Sequence, residues 1–102
     1  MTNRELRQNI ADFLSEESLL EQLIEESGEL IQSASKRLRI LRGENPTPVT
    51  EEKNYSNLVE ELADVTTVAQ VYEAKRDITS LEIMEAESDK LKRWATRLAL
   101  TD

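Results

Sequence analysis

Leu19-Leu20-Glu21-Gln22-Leu23-Ile24-Glu25-Glu26-Ser27-Gly28-Glu29-Leu30-Ile31 carries apolar residues at steps of three and four, with acids filling the face between. That period is helical, and no two-residue alternation competes with it. The pattern continues through Leu38 and Leu41, and Ser15 or Ser18 is suited to cap its start. Gly43 stands where a helix C-cap is expected. Ahead of this stretch, Leu6, Ile10, Phe13 and Leu14 mark a short first helix. Downstream, a third helix starts between Thr50 and Ser56 and carries Leu58, Leu62, Val65, Val68 and Tyr72 on one stripe, widened by Val59 and Val71. A fourth opens on Thr79-Ser80-Leu81-Glu82, which has the pattern of a capping box. Its stripe of Leu81, Met84, Leu91, Ala95 and Leu98 is expected to be buried. Three of the four Gly and Pro residues fall in Gly43-Glu44-Asn45-Pro46-Thr47-Pro48, which reads as the principal loop. The fold class is therefore all-α, a small antiparallel helical bundle of about four helices forming one domain over residues 1–102.

At 102 residues the chain is too short for two independent cores. Leu, Ile, Val and Phe make up about a quarter of it, enough for a folded domain, but the charged share is 33% and the core is lean. A lean core predicts that part of the stability comes from a second copy, in a dimer or tetramer. The net charge of −8 argues against a nucleic-acid backbone or an anionic membrane surface as partner. Without Cys there are no disulfides, thiolate zinc sites or cysteine nucleophiles. Without His the commonest general base is missing, and so is the Glu-x-x-His motif of carboxylate-bridged di-iron bundles. No apolar run approaches the ~20 residues of a membrane span. The opening MTNRELRQNIADF is polar and of mixed charge, unlike a signal peptide, so the expected location is the cytoplasm.

The acids are not spread evenly. Glu25-Glu26-Ser27-Gly28-Glu29 puts three carboxylates into about one helical turn, and Glu60-Glu61-Leu62-Ala63-Asp64 repeats the arrangement on the third helix. Both contain i,i+3 and i,i+4 pairs, where like charges repel by a few tenths of a kcal/mol. The apolar residues around them put these faces beside the core. A divalent cation removes the conflict: Mg²⁺ prefers hard oxygen ligands and leaves positions for water and substrate phosphates. Two facing helices with two carboxylates each can hold one or two such ions. A solvated acidic surface is the plain alternative for either cluster alone. Gly28 costs a helix interior about 0.5–1 kcal/mol relative to Ala, which a close approach or a local helix break would explain.

These residues match a known pattern. Glu25-Glu26-x-x-Glu29 followed by Glu61-x-x-Asp64, with Leu30-Ile31 after the first and Val65 after the second, resembles the MazG-like all-α nucleoside triphosphate pyrophosphohydrolases. That superfamily also includes dimeric dUTPases and phosphoribosyl-ATP pyrophosphohydrolases. Residues 25–36 and 57–72 carry most of the resemblance, and Lys90-Leu91-Lys92-Arg93 is similar to the family's basic segment on its last helix. The resemblance implies Mg²⁺, with Mn²⁺ as a substitute, bound by Glu26, Glu29, Glu61 and Asp64. It also implies hydrolysis of the α–β phosphoanhydride of a nucleoside triphosphate to a monophosphate and pyrophosphate. Glu25 and Glu60 are then candidates to take the proton of the attacking water or to support the ligands from behind.

A triphosphate also needs cations for oxygens outside the metal shell. Lys36 follows Glu29 by seven residues and returns to the same helical face, while Lys90, Arg93 and Arg97 form a stripe on the last helix. Pairing of these arginines with surface acids is the competing explanation. Phe13 and Tyr72 are expected in the core, Trp94 at a subunit interface, and Tyr55 near the loop and the substrate. The second functional class is a helical interaction or accessory protein that keeps the bundle and metal without useful turnover.

Overall fold

The computed structural model describes residues 1–44 and 49–100, so residues 45–48 of the expected loop lie outside the described residues. Four α-helices follow in order: α1 (Asn3–Phe13), α2 (Glu16–Leu41), α3 (Glu51–Lys75) and α4 (Ser80–Arg97). Each begins on a hydroxyl side chain that accepts a backbone N–H of the first turn: Thr2, Ser15, Thr50 and Thr79. At Thr79 the capping box is complete, with Glu82 Oε2 accepting the Thr79 N–H at 2.8 Å. α2 ends as the sequence suggests. Gly43, at φ +66°, donates to the Ile40 carbonyl while the Glu44 N–H donates to that of Arg39, which closes a Schellman turn. The same turn closes α3 on Asp77 (φ +54°) and α4 on Ala99 (φ +56°), two positions where the left-handed backbone is less comfortable than at glycine.

α2 and α3 form an antiparallel hairpin. Buried or half-buried positions along α2 include Leu19, Leu23, Glu26, Leu30, Ser33, Arg37 and Ile40, alternating by four and three residues. Along α3 they include Asn54, Leu58, Glu61, Val65, Val68 and Tyr72, with the same alternation. This is the 3.5-residue seam of a coiled coil. Ion pairs fasten both ends: Arg37 to Glu51 at 3.1 Å beside the loop, and Arg76 to Glu16 at 3.4 Å at the far end. There the Tyr72 hydroxyl also donates to Glu16 at 2.9 Å. α1 lies against α3, and Ala11, Leu19 and Val71 form the buried core where α1, the start of α2 and the end of α3 meet.

Three expectations about packing need correction. The α4 stripe is not buried: Leu81, Met84, Leu91 and Leu98 are all exposed, and α4 packs against no other helix among the described residues. Phe13 is 87% exposed rather than in the core, whereas Tyr72 is half-buried. On α3 the seam runs through Glu61, and Leu62 is exposed, because a 3.5-residue seam selects 61 between 58 and 65. Trp94 is exposed on α4, and Tyr55 on the first turns of α3. α2 has a second apolar stripe, Leu20, Ile24, Ile31 and Leu38, that faces outward. The radius of gyration of 17.0 Å exceeds the ~13 Å usual for a compact domain of this length. No helix among the described residues is long and apolar enough to cross a membrane.

Candidate metal centre and adjoining cavity

Midway along the hairpin the seam changes from apolar to acidic. Glu26 and Glu29 lie one turn apart on α2, Glu61 and Asp64 one turn apart on α3, and the antiparallel register sets the two pairs face to face. One carboxylate oxygen from each of the four lies within 4.8 Å of the others. That span is about the distance across a divalent cation between two oxygen ligands 2.0–2.6 Å from it. Glu26 and Glu61 are half-buried, while Glu29 and Asp64 are exposed, so the cluster has an inner and an outer side.

Two oxygens on the inner side lack partners among the described residues. Glu26 Oε2 and Glu61 Oε2 are buried without a hydrogen bond, a costly state for a carboxylate that a bound cation would relieve. The other Glu26 oxygen accepts from the Gln22 amide at 2.8 Å. Burial of Glu26, with the Glu29 and Asp64 carboxylates adding repulsion, still raises its pKa above the usual carboxylate value. The four acids therefore suit a hard divalent cation in both donor type and spacing. Glu25 and Glu60 are exposed and outside this convergent group. They stand one turn before Glu29 and Asp64 respectively.

A half-open cavity of about 300 Å³ adjoins the acids on the side of the α2–α3 loop. Glu29 and Glu61 form one end of it, and Ser33, Lys36, Asn54 and Asn57 line it further along. Lys36 thus shares a wall with the acids, as its seven-residue offset from Glu29 suggests. Lys90, Arg93 and Arg97 gather around Trp94 in a shallow concavity on α4 whose lining contains none of the four acids. The structure brings these cations to one another and not to Glu26, Glu29, Glu61 and Asp64 of the same chain. α2 is continuous through Gly28, and a Cβ there would meet nothing within 4 Å, so neither a helix break nor a close approach within the chain accounts for this glycine.

Sequence reasoning missed Ser33 and Asn54. Both are buried, at 7% and 2% exposure, and Ser33 Oγ and Asn54 Oδ1 have no hydrogen-bond partner among the described residues. The signal was present: each is a polar residue at a seam position that the 3.5-residue spacing reserves for an apolar one.

Comparison with curated proteins and with solved structures found no match. Residues 14–97 do match the family profile of the MazG nucleotide pyrophosphohydrolase domain, from the end of α1 to the end of α4. With most of its length covered and all four acids inside the match, the chain belongs to the MazG nucleotide pyrophosphohydrolase domain family.

Proposed function

We propose that this chain hydrolyses a nucleoside triphosphate at its α–β phosphoanhydride, releasing a nucleoside monophosphate and pyrophosphate with Mg²⁺ as cofactor and Mn²⁺ as a substitute. One observation carries the reading: four carboxylates converge from two helices, and two of them have buried oxygens with no partner among the described residues. A divalent cation there supplies positive charge for the phosphates and acidifies a water molecule.

The rest is assigned to the chain's own side chains. Glu26, Glu29, Glu61 and Asp64 hold the cation. Glu25 and Glu60 flank the exposed pair; one of them accepts the proton of the attacking water and the other supports the ligands from behind. The water oxygen bonds to the α-phosphorus as the bridging P–O bond breaks and pyrophosphate leaves. Lys36, two helical turns past Glu29 on the same cavity wall, reaches back along α2 to a phosphate oxygen. Lys90, Arg93 and Arg97 serve phosphates across a subunit boundary in a homo-oligomer. The exposed α4 stripe, the small buried core and the extended shape of the single chain support that assembly.

The test is product identification. Purified protein with Mg²⁺ and a panel of NTPs and dNTPs is expected to yield pyrophosphate and a monophosphate. Release of orthophosphate and a diphosphate, or no release from any member, contradicts the reading and favours an accessory role.

A further inference from the structure

Ser33 and Asn54 lie on facing helices in the same cavity, each beyond an acid of the cluster in the direction of the loop. Along the axes, Ser33 is ~6 Å past Glu29 and Asn54 ~10 Å past Glu61, at the rise of an α-helix. Both occupy seam positions where an apolar side chain would pack, yet both present a polar atom that nothing among the described residues satisfies. Buried polar groups in a native seam are ordinarily paired, so an orphan pair opening on one cavity points to a ligand that completes it.

We propose that Ser33 and Asn54 bind the sugar of the nucleotide and read one of its hydroxyls. This rests on the pyrophosphohydrolase reading, which fixes the phosphates at the acid end of the cavity. The sugar is the next group along the ligand, and it enters the space these two residues line. A hydroxyl donates and accepts at once, so it can donate to Asn54 Oδ1 and accept from Ser33 Oγ–H. No aromatic side chain lines the cavity among the described residues, which leaves a base nothing to stack on and favours the sugar. A site whose buried polar groups are completed by a substrate hydroxyl rejects the analogue that lacks it, because the protein groups are then left unpaired.

The experiment compares kcat/KM for triphosphates of a purine and a pyrimidine base, each with ribose, 2′-deoxyribose and 3′-deoxyribose, in wild type, Ser33→Ala and Asn54→Leu. Helical content and melting temperature of each variant establish that it is folded, and Asn54→Asp supplies a second polar variant at the same site. Wild type is expected to disfavour one deoxy sugar by at least about tenfold. In Asn54→Leu and Ser33→Ala that ratio collapses toward one, because the hydroxyl-bearing substrate loses more than the analogue. A wild type indifferent to both hydroxyls, or variants that keep the wild-type ratio, means water satisfies these groups and overturns the inference alone. Variants that change selectivity among bases but not among sugars overturn it in favour of a base pocket. A wild type that releases no pyrophosphate from any substrate overturns the hydrolase reading and this inference together.

Discussion

Glu26 and Glu61 face each other across the α2–α3 seam, each half-buried and each with one carboxylate oxygen enclosed and unpaired. In a coiled coil these positions ordinarily hold apolar side chains that fasten the helices. Here they work against the hairpin unless a cation lies between them. The Arg37–Glu51 pair at one end, and the Glu16 contacts with Tyr72 and Arg76 at the other, hold the helices together around that unfavourable middle.

Divalent cations should therefore stabilise the protein by mass action. At a Mg²⁺ concentration 100 times the dissociation constant the gain is about 2.7 kcal/mol. Melting curves with Mg²⁺ and with chelator should differ for wild type and coincide for Glu26→Gln/Glu61→Gln. In chelator the double variant should melt above wild type, since it removes repulsion without opening a cavity. An equal Mg²⁺ shift in both proteins would place the ion elsewhere.

Acidity should act on two glutamates in opposite senses. The Glu26 pKa is raised in the folded protein, so its contribution to stability is fully present below the ordinary value of 4.5 and is lost as pH rises through the raised value. Hydrogen bonds from the Thr79 backbone and side chain lower the Glu82 pKa, so its contribution is present above 4.5 and is lost as pH falls through the lowered value. Metal-free wild type should lose stability relative to Glu26→Gln as pH rises from 4.5. Glu82→Gln should differ most from wild type above 4.5. Chemical denaturation in chelator across this range measures both.

The α4 terminus offers a stabilising change. Ala99 closes the helix at φ +56°, and Ala99→Gly relieves about 1 kcal/mol of left-handed strain. For a domain of this size that corresponds to about 4–8 °C in melting temperature. Asp77→Gly, at φ +54°, should gain less, because Asp tolerates this conformation better than Ala. An unchanged melting temperature for Ala99→Gly would mean that α4, which packs against no other helix among the described residues, does not melt with the rest of the fold.

If the α4 cations serve a second copy, inactive variants should rescue each other. Glu61→Gln lacks a metal ligand and Arg93→Ala a phosphate contact, and each alone is expected to be nearly inactive. Mixed and re-equilibrated as a dimer, half the molecules are hybrids with one intact site, which restores about a quarter of wild-type turnover. No recovery despite demonstrated subunit exchange would assign Arg93 to its own chain or to no role.

The helices and their caps were legible in the sequence because they depend on local chemistry: Ser15, Gly43 and the Thr79–Glu82 box act where their positions say. The four acids were legible as two clusters because helical spacing brings Glu26 to Glu29 and Glu61 to Asp64 whatever surrounds them. The seam was harder. Apolar periodicity favoured Leu62 over Glu61 and gave no weight to Ser33 or Asn54, because a pattern reading credits apolar residues and passes over polar ones that packing encloses. The exposure of α4 was not legible at all, since an amphipathic helix looks the same whether its stripe meets its own chain or another.

The most direct test of the central claim is a Mg²⁺ titration of pyrophosphate release by wild type and Glu61→Gln, with helical content recorded for both. Release from wild type should rise and saturate with Mg²⁺. Glu61→Gln, equally helical, should be slower by at least about a hundredfold. Equal release from the two proteins, or release from wild type unaffected by chelator, would contradict the claim.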